Sequence, residues 1–178
     1  MALRATIFKL ELHVADTDRG YYASHVLTLA RHPSETDERM MLRVLAFALY
    51  ADDGLAFTRG LSTTDEPSLW KKDLTGSILS WIELGHPDER RLLQAGGKSD
   101  QVVVFCYGGH ASQVWWQGVQ GGVARMRNLS VLSVNPAAIQ ALAGLAQRAM
   151  TLHVTIQEGM ALVASDADSV TVEIDVWR

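Results

Sequence analysis

The chain has 178 residues, a length that suits one domain with a sizeable hydrophobic core. It is 48% hydrophobic and 20% charged, as is usual for a globular protein, and no apolar run reaches the roughly 18 residues of a membrane span. The net charge of −4 argues against broad, non-specific binding to nucleic acid but does not exclude a local basic patch.

The first quarter of the chain predicts a hairpin followed by a helix. Residues 5–14 alternate between apolar and polar side chains, as in a half-buried strand, and residues 21–30 read as the returning strand after a turn. Two strands alone are marginal in water, so we expect a helix to pack on them. That helix is predicted from Glu35 to Tyr50, with Ser34 as its N-cap and Glu38 in its acidic first turn.

The middle of the chain predicts a buried carboxylate. Residues 65–72 are expected to form one or two helical turns, and residues 78–84 form an apolar strand. Alternation along that strand places Glu83 on the same side as Trp81. A carboxylate in such a place is partly desolvated, so it needs a metal ion, an arginine or a hydrogen-bond partner.

A strand, a short helix and a second strand follow one another in this region. The helix is predicted from Pro87 to about Ala95 and is expected to stop at Gly96-Gly97. The strand at 101–107 is apolar on both faces, which is typical of a central parallel strand reached by a right-handed crossover. A second helix over about 112–125 and a strand at 129–134 come next.

The C-terminal part predicts a helix and an antiparallel meander. The helix runs from Pro136 to about Ala149, and alternating strands near 152–156, 160–164 and 170–176 close the chain. The predicted fold class is therefore α+β, an α/β roll in which helices cover the faces of a mixed β-sheet. We find no repeat or linker, so residues 1–178 are expected to form a single domain.

Several common functional motifs are absent from the sequence. There is no phosphate-binding loop, dinucleotide fingerprint or nucleophile elbow, and the six histidines lack zinc-ligand spacing. The one cysteine, Cys106, excludes an intrachain disulfide framework and is expected to be a core residue. Residues 1–7 alternate like a strand and lack a signal-peptide core, so we expect a cytoplasmic protein with no membrane partner.

Three acids remain as a candidate site, namely Glu38, Asp73 and Glu83. Around them the chain resembles the bacterial YaeQ family over essentially its whole length. The resemblance is specific, and it is carried by residues 1–7, Leu29-Ala-Arg-His-Pro-Ser-Glu-Thr-Asp-Glu-Arg-Met-Met-Leu-Arg43, Phe57-Thr-Arg-Gly-Leu61, Trp81-Ile-Glu-Leu-Gly-His-Pro-Asp-Glu-Arg-Arg91 and Met150-Thr-Leu-His-Val-Thr-Ile-Gln-Glu-Gly159.

The resemblance implies a variant of the PD-(D/E)XK nuclease fold, a restriction-endonuclease-like core with an N-terminal hairpin and a C-terminal antiparallel meander. It also implies that Glu38, Asp73 and Glu83 hold Mg²⁺ or Mn²⁺ and activate water for phosphodiester cleavage. A bound metal would lower the pKa of that water and neutralise charge on the scissile phosphate.

The sequence departs from this nuclease pattern at one position. The lysine that normally follows the strand acid is replaced by Gly85, so the group that would orient the attacking water is missing. Candidates to take its place are Arg59, Lys72, Arg90 and Gln113.

Three hypotheses follow from these residues. The chain is a protein with a degenerate site that binds nucleic acid or acts as a regulator, or it is a Mg²⁺- or Mn²⁺-dependent nuclease. In the third hypothesis Glu38 and Glu83 simply pair with Arg59 or another cation in the core, because buried charges are normally paired.

Overall fold

The computed structural model describes residues 4–178, which divide into two compact units. The first unit holds the described residues up to Ala51 together with Ala137–Ile174, and the second holds Asp52–Pro136 together with Asp175–Arg178. No helix in the described part of the chain is long and apolar enough to cross a membrane. The single-domain organisation stays a prediction, and the strand-like alternation expected at residues 1–3 lies outside the described residues.

Ten strands and four α-helices occur within residues 4–178, together with a short 3-10 helix at Gly60–Ser62. In chain order they are β1 (Thr6–Asp16), β2 (Tyr21–Arg31), α1 (Asp37–Leu49), β3 (Leu55–Phe57), β4 (Leu69–Lys72), β5 (Ile78–Leu84), α2 (Glu89–Lys98), β6 (Ser99–Cys106), α3 (His110–Val119), β7 (Leu129–Val134), α4 (Pro136–Ala143), β8 (Ala149–Gln157), β9 (Met160–Ala164) and β10 (Ser169–Val176). Parallel and antiparallel pairs both occur, so the α+β class with a mixed β-structure is confirmed.

The first unit is built on the N-terminal hairpin and the C-terminal meander. β1 pairs antiparallel with β2 along its whole length and parallel with β8, while β8, β9 and β10 follow one another antiparallel. Alternate side chains of β1 are buried, as its sequence predicts: Phe8, Leu10, Leu12 and Val14. Both the hairpin and the meander are therefore confirmed.

Helix α1 begins two residues later than predicted, and its N-cap is Thr36 instead of Ser34. The Thr36 hydroxyl accepts a hydrogen bond from the backbone N–H of Arg39 at 3.1 Å, whereas Ser34 bonds to the His32 ring. Glu35 is excluded from the helix because its side chain is buried in an ion pair with Arg43, at 2.5 Å. This buried pair joins the segment before α1 to the middle of the helix.

The second unit has the strand order β7-β6-β5-β4-β3. β5, β6 and β7 are mutually parallel, and β3 and β4 pair antiparallel beside them, so the predicted β5–α2–β6 parallel crossover is confirmed. The helical turns predicted at 65–72 are wrong, because Leu69–Lys72 form β4. Leu69 is fully buried opposite Ile82, and this pairing with β5 outweighs the local preference for a turn.

The helix boundaries also differ from those predicted. α2 does not stop at Gly96-Gly97 but runs to Lys98; the Asn128 amide donates to the carbonyl oxygens of Gly96 and Ser99, each at 3.1 Å. α3 starts two residues earlier than predicted and ends six earlier, at Val119. α4 ends at Ala143, before a glycine, because the residues from Ala149 onward join the sheet as β8.

Replacing Glu35 with alanine is expected to lower the free energy of unfolding by about 3 kcal/mol, because it leaves the Arg43 guanidinium buried without its carboxylate. Glu38→Ala is the matched control. Glu38 also lies at the start of α1 but is only half-buried, so its loss is expected to cost less than about 1 kcal/mol. Urea unfolding at neutral pH measures both changes, and equal losses for the two variants would contradict this role of Glu35.

Candidate functional site

Glu83 is a buried carboxylate near the end of β5, and it is neutralised by an arginine. Its Oε1 accepts a hydrogen bond from Trp81 Nε1 at 2.8 Å and another from Arg91 Nε at 2.6 Å. The Arg91 guanidinium also donates to the carbonyl oxygens of Thr64 and Glu66, at 2.5 and 2.8 Å. The expectation that Glu38 and Glu83 pair with Arg59 or another cation is therefore confirmed for Glu83 alone, and its partner is Arg91.

Of the cations that the sequence left open as partners, Arg59 is not the one beside Glu83. Arg59 lies on the loop before β4, where its side chain is 75% exposed and pairs with Glu66 at 3.1 Å. Arg91 takes the position beside Glu83 because α2 follows β5 after only a few residues. The first turn of α2 thus returns over the end of the strand, a placement that only the three-dimensional fold decides.

Asp73 is exposed and acts as the cap of a turn. Its Oδ1 accepts hydrogen bonds from the Thr75 N–H at 2.8 Å, from the Thr75 hydroxyl at 2.7 Å and from the Ser77 N–H at 2.9 Å. The Thr75 hydroxyl is the largest cause that holds the pKa of Asp73 below its ordinary value of 3.8, and backbone N–H groups add to it. The carboxylate is thus engaged by its own turn.

Asp73 and Glu83 are not brought together. Asp73 lies in the turn that leads into β5 and pairs through its backbone N–H with Ser77, while Glu83 lies at the far end of the strand. The strand between Ser77 and Glu83 spans about 20 Å at about 3.3 Å per residue. Glu38 belongs to the first unit, in the first turn of α1. Within residues 4–178 no group of three or more His, Cys, Asp or Glu side chains could hold a metal ion, so metal binding stays a prediction.

Gly85 is the position at which the family resemblance led us to expect a lysine, and its backbone conformation favours glycine. Gly85 has a φ of +98°, a conformation that residues with a Cβ rarely adopt, and its N–H donates to the Phe105 carbonyl at 2.9 Å. A lysine here would strain the end of β5. Of the four candidates for its role, Lys72 stacks on the Trp70 ring at 3.8 Å, Arg90 is exposed on α2, and Gln113 is exposed on α3.

A second cluster lies at the carboxyl ends of the parallel strands, and sequence reasoning missed it. His86 Nε2 is 2.7 Å from Ser112 Oγ, which also accepts a hydrogen bond from the Gly108 N–H at 2.7 Å. The His86 ring stacks on Trp115, whose Nε1 donates to the Pro87 carbonyl at 2.7 Å. Burial lowers the pKa of His86.

This cluster fixes α3 on the second unit and does not form a nucleophilic site. Ser112 is completely buried, so its hydroxyl is inaccessible to a substrate. Cys106 is also completely buried, as predicted, and burial raises the pKa of its thiol. What the cluster does is to orient α3, whose other face is exposed at Gln113, Val114 and Gln117.

The exposed side of α3 continues into a surface rich in arginine and tryptophan. We call it the arginine–tryptophan surface, and it consists of Trp116, Arg125, Arg127, Trp177 and Arg178. The Arg178 side chain donates to the carbonyl oxygens of Ala124 and Met126, which holds its charge beside the 124–127 segment. Arg125 and Arg127 are exposed, and neither is in an ion pair with another described residue.

The sequence does contain a signal for this surface. It appears when the positions of Asp and Glu are marked along the chain. The chain has 20 Asp and Glu residues, yet none falls between Gln101 and Gln157. The Glu89 carboxylate on α2 packs against Gly122, and Asp175 is exposed two residues before Trp177. The segment itself contributes arginines and no acids.

Comparison with known proteins agrees with the resemblance found in the sequence. The family profile described as YaeQ protein matches residues 1–174. The chain is 46% identical to the "Uncharacterized protein YaeQ" of Salmonella typhi and 45% identical to that of Escherichia coli K12, in each case over all of this chain and 98% of the relative.

Two solved structures are also similar to this chain. The crystal structure of YaeQ from Xanthomonas axonopodis pv. citri is 50% identical, superposes with a TM-score of 0.95 and shares 98% of each chain. That of YaeQ from Pseudomonas syringae is 37% identical with a TM-score of 0.93, covering 98% of this chain and 96% of the other. The α+β architecture is thus common to all three.

A double-mutant cycle will test the pairing of Glu83. We expect Glu83→Gln and Arg91→Gln to show a coupling energy of about 1 kcal/mol or more, because the two side chains share a partly buried, charged hydrogen bond. The cycle between Glu83→Gln and Arg59→Gln is the control and should show no coupling. Urea unfolding of the variants provides the free energies, and coupling to Arg59 alone would refute the observed pairing.

The titration of Asp73 will separate a turn cap from a metal ligand. The folded pKa lies below the unfolded one, so the ionised form stabilises the fold above about pH 4, and this contribution is lost as the pH falls through the folded pKa. NMR titration of the carboxyl carbon should therefore give a pKa below 3.8 that does not move when Mg²⁺ is added. A normal pKa that falls on addition of Mg²⁺ would point instead to a metal site.

Proposed function

This chain belongs to the YaeQ family, and we propose that it is a nucleic-acid-binding protein with a regulatory rather than a hydrolytic role. The observation that carries this proposal is the arginine–tryptophan surface of the second unit. Arg125 and Arg127 are exposed there without acidic partners among the described residues. Arginines contact phosphates, and aromatic rings stack on bases, so the two residue types together suit a nucleic acid.

The order of elements supports a nuclease-like ancestry for the scaffold. Along the chain a helix, three strands, a second helix and a fourth strand follow one another, as α1, β3, β4, β5, α2 and β6. This is the order that the family resemblance implies for a restriction-endonuclease-like core. Such a core is built to approach a nucleic acid, and it can keep that property after its catalytic groups have changed.

The alternative function is a Mg²⁺- or Mn²⁺-dependent nuclease that uses Glu38, Asp73 and Glu83. Two observations place it second. Arg91 already donates to Oε1 of the Glu83 carboxylate, and Gly85 adopts a backbone conformation that disfavours the usual lysine. A metal at Glu83 would have to compete with the Arg91 guanidinium, whose other hydrogen bonds hold the Thr64–Glu66 segment.

Replacing Arg125 and Arg127 together with alanine is expected to weaken binding to labelled DNA and RNA oligonucleotides. Each phosphate contact releases counterions, so the slope of log affinity against log salt should become shallower by about 1.4 for a single strand and about 1.8 for a duplex. Fluorescence anisotropy at several salt concentrations measures both quantities.

The control for this experiment is the variant with Arg4→Ala and Lys9→Ala. It removes two positive charges from exposed positions in the first unit and should leave the salt slope unchanged. Equal effects of the two double variants would mean that only net charge matters, and the proposed surface would be wrong. Cleavage of an oligonucleotide with Mg²⁺ or Mn²⁺ that disappears in Glu83→Gln would establish the nuclease alternative instead.

A further inference from the structure

We propose that a groove beside α3 is a base-binding site for single-stranded nucleic acid, an inference that rests on the proposed function and assigns its substrate class. We call it the tryptophan groove; it has a volume of about 370 Å³ and is lined by Gln113, Trp116, Gln117 and Trp177. It is a shallow depression that is open to solvent.

The walls of the tryptophan groove are held in place by the core of the second unit. Trp116 and Trp177 are half-buried and pack against the cluster that contains Val123 and Val131. The backbone of Trp177 is fixed as well, because its N–H donates to the Val131 carbonyl at 2.8 Å. Both tryptophans therefore rest against the core, and both line the groove.

The chemistry of the groove suits a planar, uncharged group with polar edges. Gln113 and Gln117 are four residues apart on α3, so their side-chain amides lie on the same face one turn apart. An amide offers a donor and an acceptor, which matches the edge of a base, while an indole ring offers a stacking surface. No Asp, Glu, Lys or Arg occurs from His110 to Gln120, so this wall would contact bases and not phosphates.

The phosphates would be held next to the groove. Trp177 lines the groove and Arg178 follows it in the chain, with its guanidinium bonded to the carbonyls of Ala124 and Met126. Arg125 and Arg127 lie in that same segment, and with Arg178 they line an adjacent depression. A base in the groove would thus have its backbone beside arginines, an alternation of stacking and charge that is typical of single-strand binding.

The substrate is inferred to be single-stranded because the groove requires the face of a base. In a duplex the faces are stacked against neighbouring pairs and only the edges are exposed, so Trp116 could not reach them. A protein segment is the rival occupant, since tryptophan and arginine are also enriched in protein interfaces. The three arginines that line one depression, Arg125, Arg127 and Arg178, favour a polyanion over such a segment.

The test compares Trp116→Leu with wild type for binding to single-stranded and duplex DNA of the same sequence. Leucine keeps an apolar side chain against the core but removes the stacking surface, so we expect single-strand affinity to fall about fivefold or more. Duplex affinity and the salt slope should not change, because the arginines remain, and Trp116→Phe should restore part of the lost affinity.

Trp70→Leu is the matched control, because Trp70 is another half-buried tryptophan of the second unit that lies outside the groove. Trp70→Leu should leave the affinities for single-stranded and duplex DNA unchanged.

The variant with Gln113→Ala and Gln117→Ala removes only exposed side chains, so it should fold normally. We expect it to reduce the differences in affinity between single-stranded homopolymers that differ in their base.

The outcomes separate the two proposals. If single strands and duplexes bind equally well and Trp116→Leu has no effect, while loss of Arg125 and Arg127 still weakens binding, the groove is not a base site and the proposed function survives. If wild type binds neither form, both proposals fail, and a protein partner becomes the occupant to seek.

Should Trp116→Leu unfold, ultraviolet cross-linking of wild type to a 4-thiothymidine oligonucleotide decides the question. Cross-links at α3 or Trp177 support the groove, and cross-links confined to other residues overturn it.

Discussion

The second unit depends on the hydrogen-bonded ion pair between Glu83 and Arg91. A carboxylate that is buried at the end of a strand is stable only if its charge is matched, and one guanidinium does this while also binding the carbonyls of Thr64 and Glu66. The pair therefore joins β5, α2 and the loop before β4. It also occupies the acid that a metal-dependent nuclease would need, so the same interaction that stabilises the scaffold weighs against hydrolysis.

Helix α3 of the second unit is held by a different set of polar contacts. The contacts of His86 with Ser112 and Trp115 fix α3 at the carboxyl ends of the parallel strands, which is where open α/β sheets generally place their ligands. With that face of α3 anchored, Gln113 and Gln117 are exposed beside Trp177. The cluster of His86, Ser112 and Trp115 thus holds α3 in place. The groups that would contact a ligand, Gln113 and Gln117, are on the exposed face of the helix.

The charged residues are distributed unevenly along the chain. A net charge of −4 disfavours long-range attraction of nucleic acid, yet the 57 residues from Gln101 to Gln157 contain no carboxylate. Specific recognition does not need a basic protein, because screening limits each charge to about 10 Å at ordinary salt. A ligand at the arginine–tryptophan surface would therefore respond mainly to Arg125, Arg127 and Arg178.

The sequence by itself determined those features that depend on neighbours in the chain. Alternation in residues 5–14 predicted a strand, the apolar run at 101–107 predicted a central one, and long quoted motifs identified the family. Prediction from local sequence was wrong where contacts with distant residues decide the structure. Leu69–Lys72 form a strand because they pair with β5. Gly96-Gly97 remain in α2, where the Asn128 amide donates to the Gly96 carbonyl. Only the tertiary structure decided which arginine neutralises Glu83 and that Asp73 lies apart from it, since ion pairs and grooves join residues whose distance in space cannot be read from their spacing in sequence.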